Sequence, residues 1–324
     1  MKDLSRRFFL GTTALGLGSG LAGPTPQATA AADDFTDLVD AHVHVWTPDT
    51  AAWPLAAGST KADMQPASFT AEELLATCRP HGVSRVVLIQ MSFYGTDNRY
   101  MLDCIHRHAP AFSGVAIIDH EKEGVKAGMK ALKDRGVRGF RLYASRENAE
   151  GWAGSAGMKA MWECGAEENL AMCLLADPDA LPAIAAQVAR FPRTPVVIDH
   201  FARLGMKGRL DSPETGTDLQ RLVQLGDHEQ VHVKVSAFYA LGAKKPPYDD
   251  LAPMIRTLVN AYGSKRLMWA TDCPYQLDKG PGGEEHSYAA SLSLVRDRLD
   301  FLSHGERLDL LRNTARRVFF DGKA

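Results

Sequence analysis

Short apolar runs alternate with amphipathic stretches along most of the chain, from about residue 37 to about residue 320. Eight of the runs are short and mostly rich in Val, Ile and Leu, as is typical of strands buried on both faces of a parallel sheet. We predict strands at Leu38–His44, Arg85–Met91, Phe112–Ile118, Val137–Tyr143, Ala171–Ala176, Pro195–Asp199, Val231–Ser236 and Leu267–Ala270.

The amphipathic stretches between these runs predict helices. The first begins at Thr70, where Thr70 and Glu73 form a capping box that satisfies two backbone amides. The other predicted helices are Asp97–Ala109, Glu121–Arg135, Gly157–Asn169, Pro178–Arg190, Gly216–His228, Tyr248–Tyr262 and Glu285–Leu302. A last helix, Glu306–Phe320, is expected to pack against the barrel wall because apolar residues recur in it at helical spacing.

Eight strands, each followed by a helix, are the pattern of a closed (β/α)₈ TIM barrel. Periodicity alone leaves an open, doubly wound α/β sheet as the alternative. The segment Trp46–Phe69 has no readable period, and a loop of this length predicts a lid over the site or a disordered insertion. Its Trp46 and Trp53 are expected either to stack on a substrate ring or to pin the loop.

The first thirty residues resemble a secretory signal rather than part of the fold. Lys2, Arg6 and Arg7 precede an apolar, glycine-rich stretch, and the paired arginines are the mark of the twin-arginine route. We therefore expect a signal peptide at residues 1–30, cleavage after Ala30 or Ala32, and one TIM-barrel domain at residues 31–324. This predicts a periplasmic or secreted protein exported by the twin-arginine machinery. An N-terminal membrane anchor is the alternative, but the apolar stretch is short for a span.

The composition narrows the classes of partner. A formal net charge of -2 argues against nucleic acid or an anionic membrane surface as a partner. No segment after the signal is long and apolar enough to cross a bilayer. With nucleic acid and the membrane disfavoured, the expected partner is a small-molecule substrate. The five cysteines are odd in number and include no CxxC pair, which argues against a disulfide framework or a cysteine-ligated zinc site.

Chemistry in a TIM barrel lies at the carboxyl ends of its strands, and three of these ends carry histidine or aspartate. The first strand ends with His42 and His44, whose spacing places both imidazoles on one face, where they can bind one metal or one oxyanion. The sixth ends with His200. The eighth is followed by Asp272, a poor strand residue that is either a turn former or a general base for an attacking water.

Charged and polar residues at the fourth, seventh and second strands are further candidates. Arg141 interrupts an apolar strand and is expected to bind a substrate carboxylate or to polarise a carbonyl. Lys234 lies within a buried strand and needs a partner, which is a structural carboxylate, Asp272 or the substrate. The loop after the second strand, Gln90–Asn98, contains Ser92 and Tyr94 and is either a substrate-binding loop or the cap of the next helix.

Together, these strand ends resemble the amidohydrolase-related family (amidohydrolase 2), a group that includes 2-pyrone-4,6-dicarboxylate lactonases and sugar lactonases. The resemblance rests on the His42/His44 pair, on the segment 198–203, on the segment 269–274, and on Gly95–Asn98. It implies a distorted (β/α)₈ barrel that hydrolyses lactones. It also implies that the catalytic group consists of His42, His44, His200 and Asp272. The substrate-binding residues that it implies are Arg138, Arg141, Arg203 and Ser92. Arg138 is equally well explained as an exposed charge at the start of its strand.

Two departures from the family pattern affect the expected chemistry. The fifth strand ends without the histidine or lysine that metal-dependent members usually supply. Two alternatives therefore stay open. The site works without a metal, or it binds one divalent ion, with Zn²⁺ as the first candidate, through His42, His44, His200 and Asp272. After the seventh strand, the segment 238–242 stands where the dicarboxylate lactonases tend to have an arginine. This favours a monoacid or a sugar lactone as substrate.

The resemblance, together with these residues, implies three candidate functions. The leading one is lactone hydrolysis, in which Asp272 deprotonates water while the three histidines polarise the carbonyl, directly or through the ion. The second is a metal-dependent nonoxidative decarboxylase or hydratase that acts on an unsaturated or aromatic acid. The third is a non-catalytic exported barrel that binds a ligand.

Overall fold

A computed structural model describes residues 35–207, 209–280 and 282–321. The expected signal peptide, residues 1–30, lies outside the described residues. Among those that are described, helices fall short of the length and hydropathy that a bilayer span requires. All five cysteines are buried and free, as expected from their number and spacing.

Eight parallel strands form one sheet in the order of the chain. They are β1 (Leu38–Val43), β2 (Val83–Ile89), β3 (Phe112–Ala116), β4 (Val137–Ala144), β5 (Ala171–Ala176), β6 (Val196–Ile198), β7 (Val231–Val235) and β8 (Leu267–Trp269). The seam between β1 and β8 is held just beyond the strand ends, where the amide of Asp272 donates to the His42 carbonyl (2.9 Å) and that of His44 to the Cys273 carbonyl (2.8 Å). The predicted TIM barrel is therefore confirmed in a nearly closed form, and the open sheet is excluded.

The helices follow the predicted order, and most of them are shorter than predicted. They are α1 (Ala71–Cys78), α2 (Arg99–Arg107), α3 (Val125–Lys133), α4 (Arg146–Gly151), α5 (Ala156–Glu168), α6 (Leu181–Arg190), α7 (Pro213–Gln224), α8 (Ala252–Tyr262), α9 (Tyr288–Ser293), α10 (His304–Leu308) and α11 (Thr314–Phe319). The capping box at Thr70 and Glu73 is present at the start of α1. Helix α4, after β4, was not predicted because it spans fewer than two turns.

The C-terminal segment does more than pack against the wall. The single helix predicted there is interrupted by a π-helical turn at Asp309–Asn313, which separates α10 from α11. Leu310 and Leu311 join the core between the strands and the outer helices. Val318 and Phe319 instead join the inward-facing strand residues, so α11 fills the interior of the barrel.

The segment 46–69 is ordered, so of its two predicted roles the disordered insertion is wrong and the lid stays a prediction. Trp46 pairs with Phe69 in a short antiparallel bridge, and its indole nitrogen donates to the carbonyl of Pro66 (2.8 Å). Trp46 is fully buried and lies edge-on to Phe93, with ring centroids 5.5 Å apart. Trp53 packs edge-on against Tyr100. Both tryptophans therefore pin the loop to the barrel.

His232 on β7 predicts a loss of stability in acid. Burial, together with the charge of Arg317, lowers the pKa of His232 from 6.5 to about 4. A histidine with a lowered folded-state pKa binds its proton more readily when unfolded, so stability falls as the pH drops from about 6.5 towards 4. Between pH 7 and pH 4.5 this one group should remove about 2 to 3 kcal/mol.

Urea unfolding of the wild type and of His232→Gln at both pH values measures this contribution, because glutamine keeps a donor near the Gln230 carbonyl without titrating. The variant should lose less stability on acidification than the wild type by that amount. Parallel pH profiles would show that His232 does not titrate in this range.

Candidate active site

The four predicted catalytic residues meet at the carboxyl end of the barrel. Atom Oδ1 of Asp272 lies 3.3 Å from Nε2 of His44, 3.4 Å from Nε2 of His42 and 3.8 Å from Nε2 of His200. His42 and His44 come from the end of β1, His200 from the turn after β6, and Asp272 from the turn after β8. One carboxylate oxygen therefore faces three imidazoles.

The backbone at two of these strand ends adopts a conformation that side chains other than glycine rarely take. Asp272 has a φ of 67°, and His200 begins a run of positive φ values (51° to 58°) that continues to Arg203. Such left-handed residues cost energy and are held by their surroundings. Here they turn the chain sharply at the rim, which brings His200 and Asp272 over the mouth of the barrel.

A buried charge network lies beneath His42. Lys234 and Asp199 are fully buried, and the Lys234 ammonium lies 3.0 Å from Oδ1 of Asp199 and 3.2 Å from Nδ1 of His42. Arg141 approaches from the other side, with Nη1 3.4 Å from Oδ2 of Asp199 and 3.3 Å from Nε2 of His42. Burial would raise the pKa of Asp199, but Lys234, His42 and Arg141 outweigh it and hold that pKa well below its ordinary value. The carboxylate of Asp199 therefore stays ionised.

The same surroundings define the charge of the candidate catalytic residues. Burial, followed by the positive charge of Lys234, holds the pKa of His42 well below 6.5, and burial also lowers the pKa of His200. Burial acts to raise the pKa of Asp272, but His200, His44 and His42 together lower it below its ordinary value. At neutral pH the group is an ionised carboxylate among imidazoles, of which His42 and His200 are uncharged.

The hydrogen bonds of the imidazoles indicate a cation site. Nδ1 of His44 lies 2.9 Å from the carbonyl of Ile89, which can only accept, so Nδ1 carries the proton and Nε2 presents a lone pair. Nδ1 of His200 similarly faces the hydroxyl of Ser236 (2.7 Å), which itself donates to the Lys234 carbonyl. These lone pairs point at a carboxylate oxygen, an arrangement that a cation between them would stabilise.

Ligand atoms of His42, His200 and Asp272 all lie within 4.8 Å of one another. Nitrogen and oxygen donors in such a cluster suit a divalent transition metal. The residues present therefore fit a metal ion, although the fifth strand offers no histidine.

A cavity of about 310 Å³ opens above this group. Its wall includes candidate catalytic and substrate-binding residues as well as apolar ones. The polar and aromatic residues of the wall include His44, Ser92, Arg141, His200, Arg203, Tyr239, Asp272 and Tyr275. Arg141 is buried, and its Nε has no hydrogen-bond partner. The Nε of Arg203 has no hydrogen-bond partner either, but Nη2 of Arg203 lies 2.5 Å from Asp177, whereas Nη1 of Arg141 lies 3.4 Å from Asp199, so Arg141 is the more weakly paired of the two cations.

Three predicted substrate-binding residues lie elsewhere. Arg138 is at the start of β4, far along the strand from the rim, and donates to the backbone carbonyls of Lys133 and Val137. Tyr94 is buried behind the rim, where its hydroxyl accepts from the amide of Thr47 (3.4 Å). Lys234 is fully buried against Asp199 and does not line the cavity. Each prediction is corrected for the same reason, since the side chain is committed to a protein partner away from the cavity.

Comparison with known proteins now assigns the family. The family model described as Amidohydrolase matches residues 39–320. The chain belongs to the amidohydrolase family. The predicted resemblance is confirmed, and the protein is an enzyme of the hydrolase class.

Two curated relatives in this family resemble the chain over most of its length. The L-fucono-1,5-lactonase of Burkholderia ambifaria is 26% identical over 268 residues, which are 82% of this chain and 89% of that protein. The 2-pyrone-4,6-dicarboxylate hydrolase of Comamonas testosteroni is 26% identical over 253 residues, covering 73% and 76% of the two chains. A crystal structure of an amidohydrolase from Burkholderia multivorans with bound Zn has the same fold, with a TM-score of 0.71 and 18% identity over 87% of this chain and 98% of that chain.

Sequence reasoning missed three residues of this amidohydrolase site. Asp199 was read only as part of a strand end, yet it pairs with Lys234 and Arg141. Ser236 is the partner of His200, and the hydroxyl of Tyr239 donates to Oδ2 of Asp272 (2.7 Å). The positions of Ser236 and Tyr239 in the sequence could have identified them. Both lie just beyond the end of β7, as His200 and Asp272 lie just beyond the ends of β6 and β8.

Proposed function

We propose that this amidohydrolase opens a lactone that carries a carboxylate or a sugar-type ring, with Asp272 as the general base. The observation that carries the proposal is the ionised Asp272 carboxylate, which faces His42, His44 and His200 at the floor of a small cavity. A base held close to groups that stabilise an oxyanion is the arrangement that ester hydrolysis requires.

In this mechanism the residues divide the work. Asp272 takes a proton from the attacking water as the new C–O bond forms. The Nε2 lone pairs of His44 and His200 lie beside the carbonyl oxygen and, together with His42, would hold the cation that stabilises the developing charge. Arg141 binds a substrate carboxylate and so holds the ring over Asp272, because its guanidinium lines the cavity and retains an unpaired N–H.

The size and charge of the cavity support a small substrate. About 310 Å³ is at the lower end of the range for ligand sites, which suits a single ring. One available arginine, with Arg203 already paired to Asp177, favours a monoacid or sugar lactone over a dicarboxylate. The two curated relatives act on a sugar lactone and on a pyrone dicarboxylate, by name, so both classes belong in the test.

We further propose that the ion held by His42, His44, His200 and Asp272 is Zn²⁺. Their imidazole and carboxylate donors are those that zinc prefers, and a fold relative carries Zn. A zinc ion in this position would polarise the carbonyl and acidify the attacking water.

Export is a separate proposal that rests on Arg6 and Arg7 before the apolar N-terminal stretch. It places the mature enzyme, from residue 31 onward, in the periplasm or outside the cell. N-terminal sequencing of the protein recovered from the periplasmic fraction tests it, and an intact Met1 there would contradict cleavage.

A pH-indicator assay of the purified mature protein, with and without chelator, tests the proposed function. The panel contains sugar lactones, muconolactones and pyrone carboxylates. We expect acid release that the chelator abolishes and Zn²⁺ restores. Acid release that survives the chelator would support the lactonase activity and contradict the proposed zinc ion.

Two other results would replace the proposal. Absence of acid release together with CO₂ release from an aromatic or unsaturated acid would identify a decarboxylase. Saturable binding of a panel compound without turnover would identify a binding protein.

A further inference from the structure

Tyr239 occupies an unusual place beside the proposed base. It lies in a single 3₁₀ turn, Phe238–Ala240, directly after β7, and its hydroxyl donates to Oδ2 of Asp272 at 2.7 Å. The other oxygen of the same carboxylate, Oδ1, faces the three imidazoles. Tyr239 also lines the cavity, so its hydroxyl adjoins both the base and the space for substrate.

Opening a lactone requires a proton at a second position. After water adds to the carbonyl, the ring C–O bond breaks and the departing oxygen must be protonated, because an alkoxide is a poor leaving group. The Nδ1 protons of His44 and His200 are turned away from this position. Nδ1–H of His44 points at the Ile89 carbonyl, and Nδ1 of His200 is engaged by Ser236.

We propose that Tyr239 is a catalytic residue that protonates the leaving oxygen of the lactone. This inference rests on the proposed lactonase function and adds the group that delivers a proton to the leaving oxygen.

The proton balance closes within the observed pair. Asp272 removes one proton from water while the hydroxyl oxygen bonds to the carbonyl carbon. As the ring C–O bond breaks, the phenol of Tyr239 gives its proton to the departing oxygen and receives the proton held by Asp272 across the 2.7 Å hydrogen bond. The products are the ring-opened hydroxy acid and an enzyme in its starting state, with no further reactant.

Other phenols at the cavity are placed less well for this role. The hydroxyl of Tyr275 is directed at the sulfur of Met91 at 4.0 Å. The guanidinium carbon of Arg141 lies over the ring of Tyr143, 5.4 Å from the ring centroid, and Tyr143 is 43% exposed. Neither is hydrogen-bonded to Asp272 in this structure, so neither has the same route to regain a proton.

The test compares Tyr239→Phe with the wild type on an oxygen lactone and on its thiolactone. The lactone is the panel member with the highest wild-type kcat/KM, and the thiolactone carries the same substituents. A thiolate leaves without protonation because a thiol has a pKa of about 8.5. If Tyr239 is the acid, kcat for the lactone should fall by about a hundredfold or more, and kcat for the thiolactone by less than about tenfold.

Both rates come from one preparation, so their ratio does not depend on the folded fraction. Tyr262→Phe is the matched control, because Tyr262 ends α8 and its buried phenol hydroxyl donates to the carbonyl of Leu222 in α7. Its two rates should stay near those of the wild type.

An equal loss on both substrates would overturn the proposal and leave Tyr239 as a residue that only positions Asp272. An unchanged lactone rate would overturn it as well. A wild type that hydrolyses neither ester would instead refute the proposed function on which this inference rests.

Discussion

Asp272→Asn is expected to lower kcat for the best lactone by about a hundredfold or more, since a positioned general base contributes roughly 10²–10⁴ to the rate. The amide cannot accept a proton from water, but it keeps an oxygen that can accept the hydrogen bond from Tyr239. The backbone bond from residue 272 to the His42 carbonyl is also unaffected. The fold and the melting temperature should therefore change little.

Steady-state kinetics of the lactone and thermal melts of the same preparation check this prediction. Asp300→Asn is the matched control, because Asp300 is an exposed carboxylate whose nearest charged partner is Arg256 at 3.5 Å. Turnover close to the wild-type value in Asp272→Asn would remove Asp272 as the base.

Lys234→Met is expected to have the largest effect on stability. The substitution leaves the fully buried carboxylate of Asp199 without the ammonium that lies 3.0 Å from it. Breaking a buried ion pair on one side costs about 3–5 kcal/mol, because the remaining charge has lost its solvent and its partner. Arg141 stays at 3.4 Å from Asp199 and should limit the loss to the lower part of that range.

Chemical denaturation of four proteins measures the pair: the wild type, Lys234→Met, Asp199→Asn, and the double variant. The double variant should recover part of the stability that Lys234→Met loses, because it removes the uncompensated carboxylate. Strictly additive losses would show that Lys234 and Asp199 are not energetically coupled.

Most of the barrel could be predicted from the sequence because its strands are buried on both faces. Such strands are nearly continuous apolar runs, and all eight observed strands overlap the runs that were identified. The four catalytic candidates were found for a related reason. His42, His44, His200 and Asp272 interrupt or end these runs, and parallel strands carry their carboxyl ends to one rim.

Residues whose role depends on a distant partner could not be predicted in this way. The position of Lys234 within an apolar strand predicts that it needs an anionic partner. That this partner is Asp199 follows only from the pairing of β6 with β7, which brings the two side chains together inside the barrel. Arg138 and Arg141 both stand on β4, and the contacts of Arg138 with the backbone carbonyls of Lys133 and Val137 decide between the two roles predicted for it. The order of segment 46–69 likewise depends on tertiary contacts of Trp46.

The sequence by itself therefore determined the α/β class, the number and order of the strands, and the four residues at their ends, because these follow from local patterns along the chain. Periodicity alone left the closed barrel and the open sheet as alternatives. The tertiary structure decided which charges neutralise one another, how α11 fills the barrel, and that Tyr239 meets Asp272. These last features depend on contacts between residues far apart in the chain, and such contacts exist only once the strands have closed around a common axis.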